Sequence, residues 1–180
     1  MIDYQNYSSA TVASPFGLLE ELFSDEPWRV LICTIFLNKT NRKQNVDGVI
    51  FRLLKRWPTA VSVVKDANDN EEAVRKYIFS LARPTGLGSI KAKAFVLLSR
   101  DYLSLLATKM TTGSTIDSTR RKEIEFNLTR MEVKQIFSCG DYAADAYQIF
   151  VRKDFESPIL SSDCILVAYV EWKRSLQCIL

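Results

Sequence analysis

An all-α fold is predicted by three features of the sequence. Apolar residues recur at three- and four-residue spacing, prolines and small polar residues stand where helices begin, and no alternating strand pattern repeats. At 180 residues the chain has room for one domain, read here as two helical lobes around a cleft. The first lobe takes the early and middle helices. The second takes the N-terminal segment and the C-terminal helices.

Residues 1–13 are polar and Ser-rich and read as a flexible tail, which leaves 14–180 as the folded domain. Ser14-Pro15 offers a cap and a first-turn proline for a helix whose stripe is Phe16, Leu18, Leu19, Leu22 and Phe23. Pro27-Trp28 opens a second helix, Arg29 to Leu37, so uniformly apolar that it must be central. Val46, Val49, Ile50, Leu53 and Leu54 define a third over about Arg42–Arg56. Pro58 introduces a short fourth over Thr59–Lys65, and Glu71–Leu81 forms a fifth. Beyond the break at Pro84-Thr-Gly-Leu-Gly88, a long helix covers roughly Ser89–Leu106.

The next stretch, about 107–135, carries the weakest pattern. Thr108–Arg121 has loop composition, Glu123–Leu128 alternates like a strand, and Arg130–Phe137 is a helix leading into a turn. Asp141–Val151 and Asp163–Ser175 complete the helical series.

Composition narrows the chemistry. The sequence contains no histidine, which excludes histidine triads, imidazole bases and histidine metal sites. The four cysteines, Cys33, Cys139, Cys164 and Cys178, match no zinc spacing and read as buried free thiols, so no metal site is expected. A net charge of +3 permits nucleic-acid binding without requiring it. No apolar run reaches the roughly 18 residues of a membrane span, and the N-terminus lacks the pattern of a secretory signal. The Asn-x-Ser/Thr triplets at Asn6, Asn38 and Asn127 are accordingly read as chance.

Four segments could carry function. In Ile136-Phe-Ser-Cys-Gly-Asp-Tyr142, Ser138 and Gly140 sit in a tight interhelix turn. Such a turn either aims backbone N–H groups at a phosphate or simply makes a corner. Asp163 begins the last helix, as a cap or as a carboxylate steering water onto a sugar carbon. Lys39, Arg42 and Lys43 follow the apolar second helix, as phosphate contacts or a solvated loop. Leu87, flanked by Gly86 and Gly88 and followed by Lys91 and Lys93, suits a wedge replacing an extruded base, or a turn anchored in the core.

In this order the segments resemble the glycosylase domain of the methyl-CpG-binding-domain thymine/uracil DNA glycosylase family, within the helix-hairpin-helix superfamily. The resemblance extends through Ser14-Pro-Phe-Gly-Leu-Leu, Pro27-Trp-Arg-Val-Leu-Ile-Cys-Thr-Ile-Phe-Leu-Asn-Lys-Thr40, Gly86-Leu-Gly-Ser-Ile-Lys-Ala-Lys-Ala94, Asp141-Tyr-Ala-Ala-Asp-Ala-Tyr-Gln-Ile-Phe150 and Asp163…Tyr169…Glu171-Trp172. It covers roughly 14–106 and 136–173, and it implies that about 107–135 is an insertion, longer than the family's usual connection.

This resemblance implies a nuclear, cofactor-free, monofunctional enzyme of base excision repair that hydrolyses uracil or thymine from mismatches with guanine in double-stranded DNA. It assigns Asp163 to catalysis, Tyr142 and Glu20 to the base pocket, and Leu87 and Lys39 to the duplex wedge. Arg42, Lys91, Lys93, Ser138 and Gly140 fall to DNA binding. The superfamily's iron–sulfur cysteine run is absent. Three positions depart from the family: Ser138 replaces glycine, Asp141 replaces lysine, and Glu20 replaces a glutamine that both donates and accepts. The alternative is a catalytically inactive module that binds protein or DNA.

Overall fold

The computed structural model describes residues 14–37, 46–111 and 118–177, and among them there is no strand. The elements are α1 (Leu19–Leu22), α2 (Pro27–Leu37), α3 (Val46–Arg56), α4 (Ala60–Ala82), α5 (Gly88–Thr111), α6 (Ser118–Phe126), α7 (Arg130–Gln135), α8 (Asp141–Ala146) and α9 (Cys164–Gln177). A π turn, Tyr147–Val151, extends α8. No described helix is long and apolar enough to cross a membrane.

The apolar α2 is buried from Pro27 to Phe36. It packs against α3 and α5 of the first anticipated lobe and against α1, α8 and the π turn of the second. One apolar core runs through both groups. Trp28, Phe36, Trp57 and Phe95 form its aromatic centre through tilted and edge-on contacts. The indole of Trp28 donates to Ser99 at 3.2 Å. A 3₁₀ turn at Arg83–Thr85 folds α5 back along α4, and Arg100 on α5 pairs with Glu71 on α4 at 2.6 Å.

Four expectations about secondary structure need revision. The first helix spans only Leu19–Leu22, because Gly17 takes a left-handed φ of 59° behind the Ser14-Pro15 turn. The fourth and fifth predicted helices form one run, broken at Asn70 (φ −158°), whose side chain accepts from the Ala73 N–H at 3.0 Å and caps the second half. Glu123–Leu128 contributes mostly to a helix. A lone strand would have no partner, whereas Arg121 and Glu125 make an i,i+4 ion pair at 3.0 Å.

The Thr-rich segment is also partly helical, since α5 reaches Thr111. The hydroxyls of Thr108 and Thr111 bond back to the carbonyls of Ser104 and Thr108. Beyond it, α7 is tied to α5 by Lys109–Glu132 at 2.6 Å. The Tyr147 hydroxyl donates to the Glu125 carbonyl, and Leu128 is fully buried. Of the cysteines, Cys33 and Cys139 are buried, whereas Cys164 is exposed, against the sequence reading, and Cys178 lies outside the described residues.

Candidate active site

The turn between α7 and α8 begins with good local signals. Thr129 and Glu132 form a reciprocal capping box that starts α7. At its other end, the Ile136 carbonyl accepts from the Cys139 N–H at 3.0 Å, and Asp101 on α5 accepts from the Phe137 N–H at 2.9 Å. Ser138 takes a left-handed φ of 68°, so the glycine-like turn persists with a residue that adopts it at a cost. Gly140 differs: its φ is −92°, and a Cβ built there meets no heavy atom within 4 Å. The fold itself does not require glycine at this position. Burial, reinforced by the Asp101 charge, pushes the Cys139 thiol up to about 12, so it is inert.

Asp141 opens α8, where a helix N-terminus favours negative charge. Lys134 pairs with it at 2.9 Å and Arg130 at 3.2 Å, and their bonds hold its carboxyl below the usual range. The Lys93 ammonium lies 5.6 Å from the Phe137 ring centroid, so the start of α5 adjoins this turn.

The next residue, Tyr142, faces inward. Its hydroxyl donates to Glu20 Oε1 at 2.7 Å, and Glu20 on α1 has no solvent exposure. Burial pushes the Tyr142 phenol far up, helped by the charges of Glu20 and Asp163. Tyr142 therefore stays a neutral donor, and the three residues share one electrostatic neighbourhood. A second tyrosine–glutamate bond, Tyr169 to Glu21 at 3.1 Å, ties α9 to α1.

Asp163 immediately precedes α9 and is half-buried. Its Oδ1 accepts from the N–H groups of Ile165 at 3.0 Å and Leu166 at 2.9 Å. This is an N-cap. Among the described residues none bonds Oδ2, so one oxygen is fixed by the helix and the other remains available. Capping and chemistry are compatible in a carboxylate held this way.

Leu87 lies on the turn before α5 with φ 56°, 52% exposed. Gly86 precedes it at φ 75° with open space where a Cβ would stand, whereas a Cβ on Gly88 would sit 3.1 Å from the Arg83 backbone, so the first glycine is required by conformation and the second by close approach. Lys93 is exposed. Lys91 corrects the sequence reading: it is 2% exposed, and its ammonium donates to the Thr85 carbonyl (3.3 Å) and hydroxyl (3.1 Å). From there it braces the Leu87 turn and cannot reach a phosphate. Lys39, Arg42 and Lys43 lie outside the described residues.

Sequence reasoning missed Asp145 and Arg130. Asp145 is 2% exposed on α8 and accepts from Arg130, from the Leu160 N–H at 3.1 Å and from the Ser161 N–H at 2.6 Å. The available signal was an acidic residue amid Ala143, Ala144, Ala146 and Tyr147, all of which are buried.

No protein-family model matches the chain. Over 161 residues it is 30% identical to a methyl-CpG-binding domain protein 4-like protein of Arabidopsis thaliana. The match suggests that family. It spans 89% of this chain but 29% of the relative.

Proposed function

We propose that the chain is a DNA glycosylase domain hydrolysing uracil or thymine opposite guanine in double-stranded DNA, with a nuclear role in base excision repair. The observation that carries this reading is Asp163. One carboxylate oxygen is fixed by two backbone N–H groups, while the other has no described partner beside the Tyr142–Glu20 pair. Such a carboxylate can accept a proton from water attacking C1′. The C1′–N bond breaks, its electron pair leaves on the base, and the negative charge stabilises the cationic sugar. Tyr142 and Glu20 form one wall of the base pocket, Leu87 fills the vacated stack, and Lys93 with the Ser138–Gly140 turn grips the backbone.

A second reading, a catalytically silent binding module, draws on the flanks of Asp163. Leu160 is 60% exposed and Ile165 48% exposed, an apolar setting that also suits a protein partner. One experiment separates the two. Labelled duplexes carrying G·U or G·T are incubated with the protein and treated with alkali, with Asp163→Asn in parallel. The glycosylase reading expects strand cleavage that the variant abolishes. A well-folded wild-type protein that leaves both duplexes intact would refute it in favour of the binding module.

A further inference from the structure

Every residue from Ala143 to Val151 is buried, and Asp145 is the acidic one among them. A charge in such a place must be compensated, and buried ion pairs are a poor source of net stability. Its partners suggest another use. Between the π turn and α9 the chain crosses 153–162 outside any helix, with a local turn in which Asp154 accepts from the N–H groups of Glu156 and Ser157, and with ties from other elements on either side of it. The first half is held by Arg174, whose guanidinium donates to the carbonyls of Phe155 at 2.7 Å and Glu156 at 3.3 Å. The second half, directly before Asp163, is held by Asp145 through the N–H groups of Leu160 and Ser161. Burial works against the ionised form of Asp145, but bonds from Arg130, Ser161 and Leu160 outweigh it and keep the carboxyl below its usual range. Arg130 also bonds Asp141, so α7, the start of α8 and the segment before Asp163 form one network.

We infer that Asp145 is a positioning residue for Asp163, fixing the approach of the 160–162 segment and hence the direction of the free carboxylate oxygen. The inference rests on the glycosylase reading and adds to it a residue that never touches DNA.

Excision from a G·U duplex under single-turnover, enzyme-saturating conditions reads the chemical step. Asp145→Asn keeps the side chain's shape but leaves one neutral amide oxygen for three donors. Its rate falls about ten- to a hundredfold, the range a small misplacement of a reacting group produces. Affinity for a duplex with an abasic-site analogue opposite guanine stays within about twofold, which separates positioning from binding. The amides of Leu160 and Ser161 exchange faster with deuterated solvent in this variant. Ile50→Val, a core change in α3, controls for lost stability: its melting temperature drops while its rate holds. Should Asp145→Asn fail to fold, Arg130→Gln keeps both backbone bonds and is expected to slow excision about threefold or more by removing the counter-charge.

Slowed excision at unchanged affinity, with faster exchange at 160–161, supports the inference. An active wild type with an equally active Asp145→Asn overturns the inference alone. An inactive wild type overturns the glycosylase reading and the inference with it.

Discussion

Gly140 offers the sharpest test of what the turn between α7 and α8 does. Its φ of −92° is open to any residue, and a Cβ there meets no protein atom within 4 Å. Replacing it with alanine therefore strains nothing. Alanine is a poorer helix N-cap than glycine by roughly 0.5–1 kcal/mol. The less flexible unfolded chain returns about 0.4–1 kcal/mol. The two nearly cancel, so the melting temperature should move by no more than about 2 °C for a chain of this size. Binding should respond differently. If the backbone N–H groups of the turn contact a phosphate, a methyl group in that space blocks the approach. One charge-assisted hydrogen bond is then lost, about 1.5–3 kcal/mol or roughly ten- to a hundredfold in affinity. Fluorescence anisotropy with a G·U duplex across a salt series, beside thermal denaturation, measures both effects. Gly140→Val should weaken binding at least as much as Gly140→Ala. Wild-type affinity in both variants would refute the phosphate-contact argument, because the open space would then face nothing.

Leu87→Ala should change stability by less than about 0.5 kcal/mol, since the side chain is half exposed. It should slow excision from a duplex far more than from a single strand, and equal effects on both substrates would remove Leu87 as a wedge. Asp141→Asn should raise duplex affinity about three- to tenfold at low salt, because Lys134 and Arg130 lose their shared acidic partner near the phosphate. A fall in affinity would mean that Asp141 orients those cations productively. Burial holds the Lys91 ammonium down to about 8, against an ordinary value of 10.5. Between those values the unfolded chain binds more protons, so wild-type stability relative to Lys91→Met should rise with pH. Thermal denaturation of the pair from pH 7 to 10 checks the slope, and a parallel pair of curves would contradict it.

The helical skeleton was largely legible because its signals are local. The unbroken apolar run of α2 fixes it as the central helix, and Thr59 caps α4 where Pro58 anticipates a start. Asp163 was legible as a cap for the same reason: its two bonds reach only two and three residues ahead. The interior of the site was not. Glu20 and Tyr142 are 122 residues apart, and no periodicity in either segment indicates that the phenol meets that carboxylate. Lys91 misled because lysine normally reads as surface. Here a buried threonine carbonyl and hydroxyl, six residues earlier, supply the acceptors that permit burial. Glu123–Leu128 misled because six residues of weak alternation fit both periods, and the ion pair with Arg121 sets the helix only once the earlier residues are wound.

The departures from the family pattern bear on the choice between enzyme and binding module. Each is accommodated without loss of the local geometry. Ser138 retains a left-handed φ that only glycine adopts at no cost. Asp141 is matched by two cations rather than left to oppose a phosphate. Glu20 receives the Tyr142 hydroxyl, so the carboxylate keeps a hydrogen-bond partner inside the fold. The Tyr142–Glu20 bond also lies within the electrostatic reach of Asp163. On the proposed glycosylase reading, uracil and thymine therefore remain the expected bases. On that reading, a base edge that displaces the Tyr142–Glu20 bond meets an acceptor in Glu20 and a donor in the neutral Tyr142 hydroxyl. The N3–H and adjacent carbonyl of uracil or thymine present that pair.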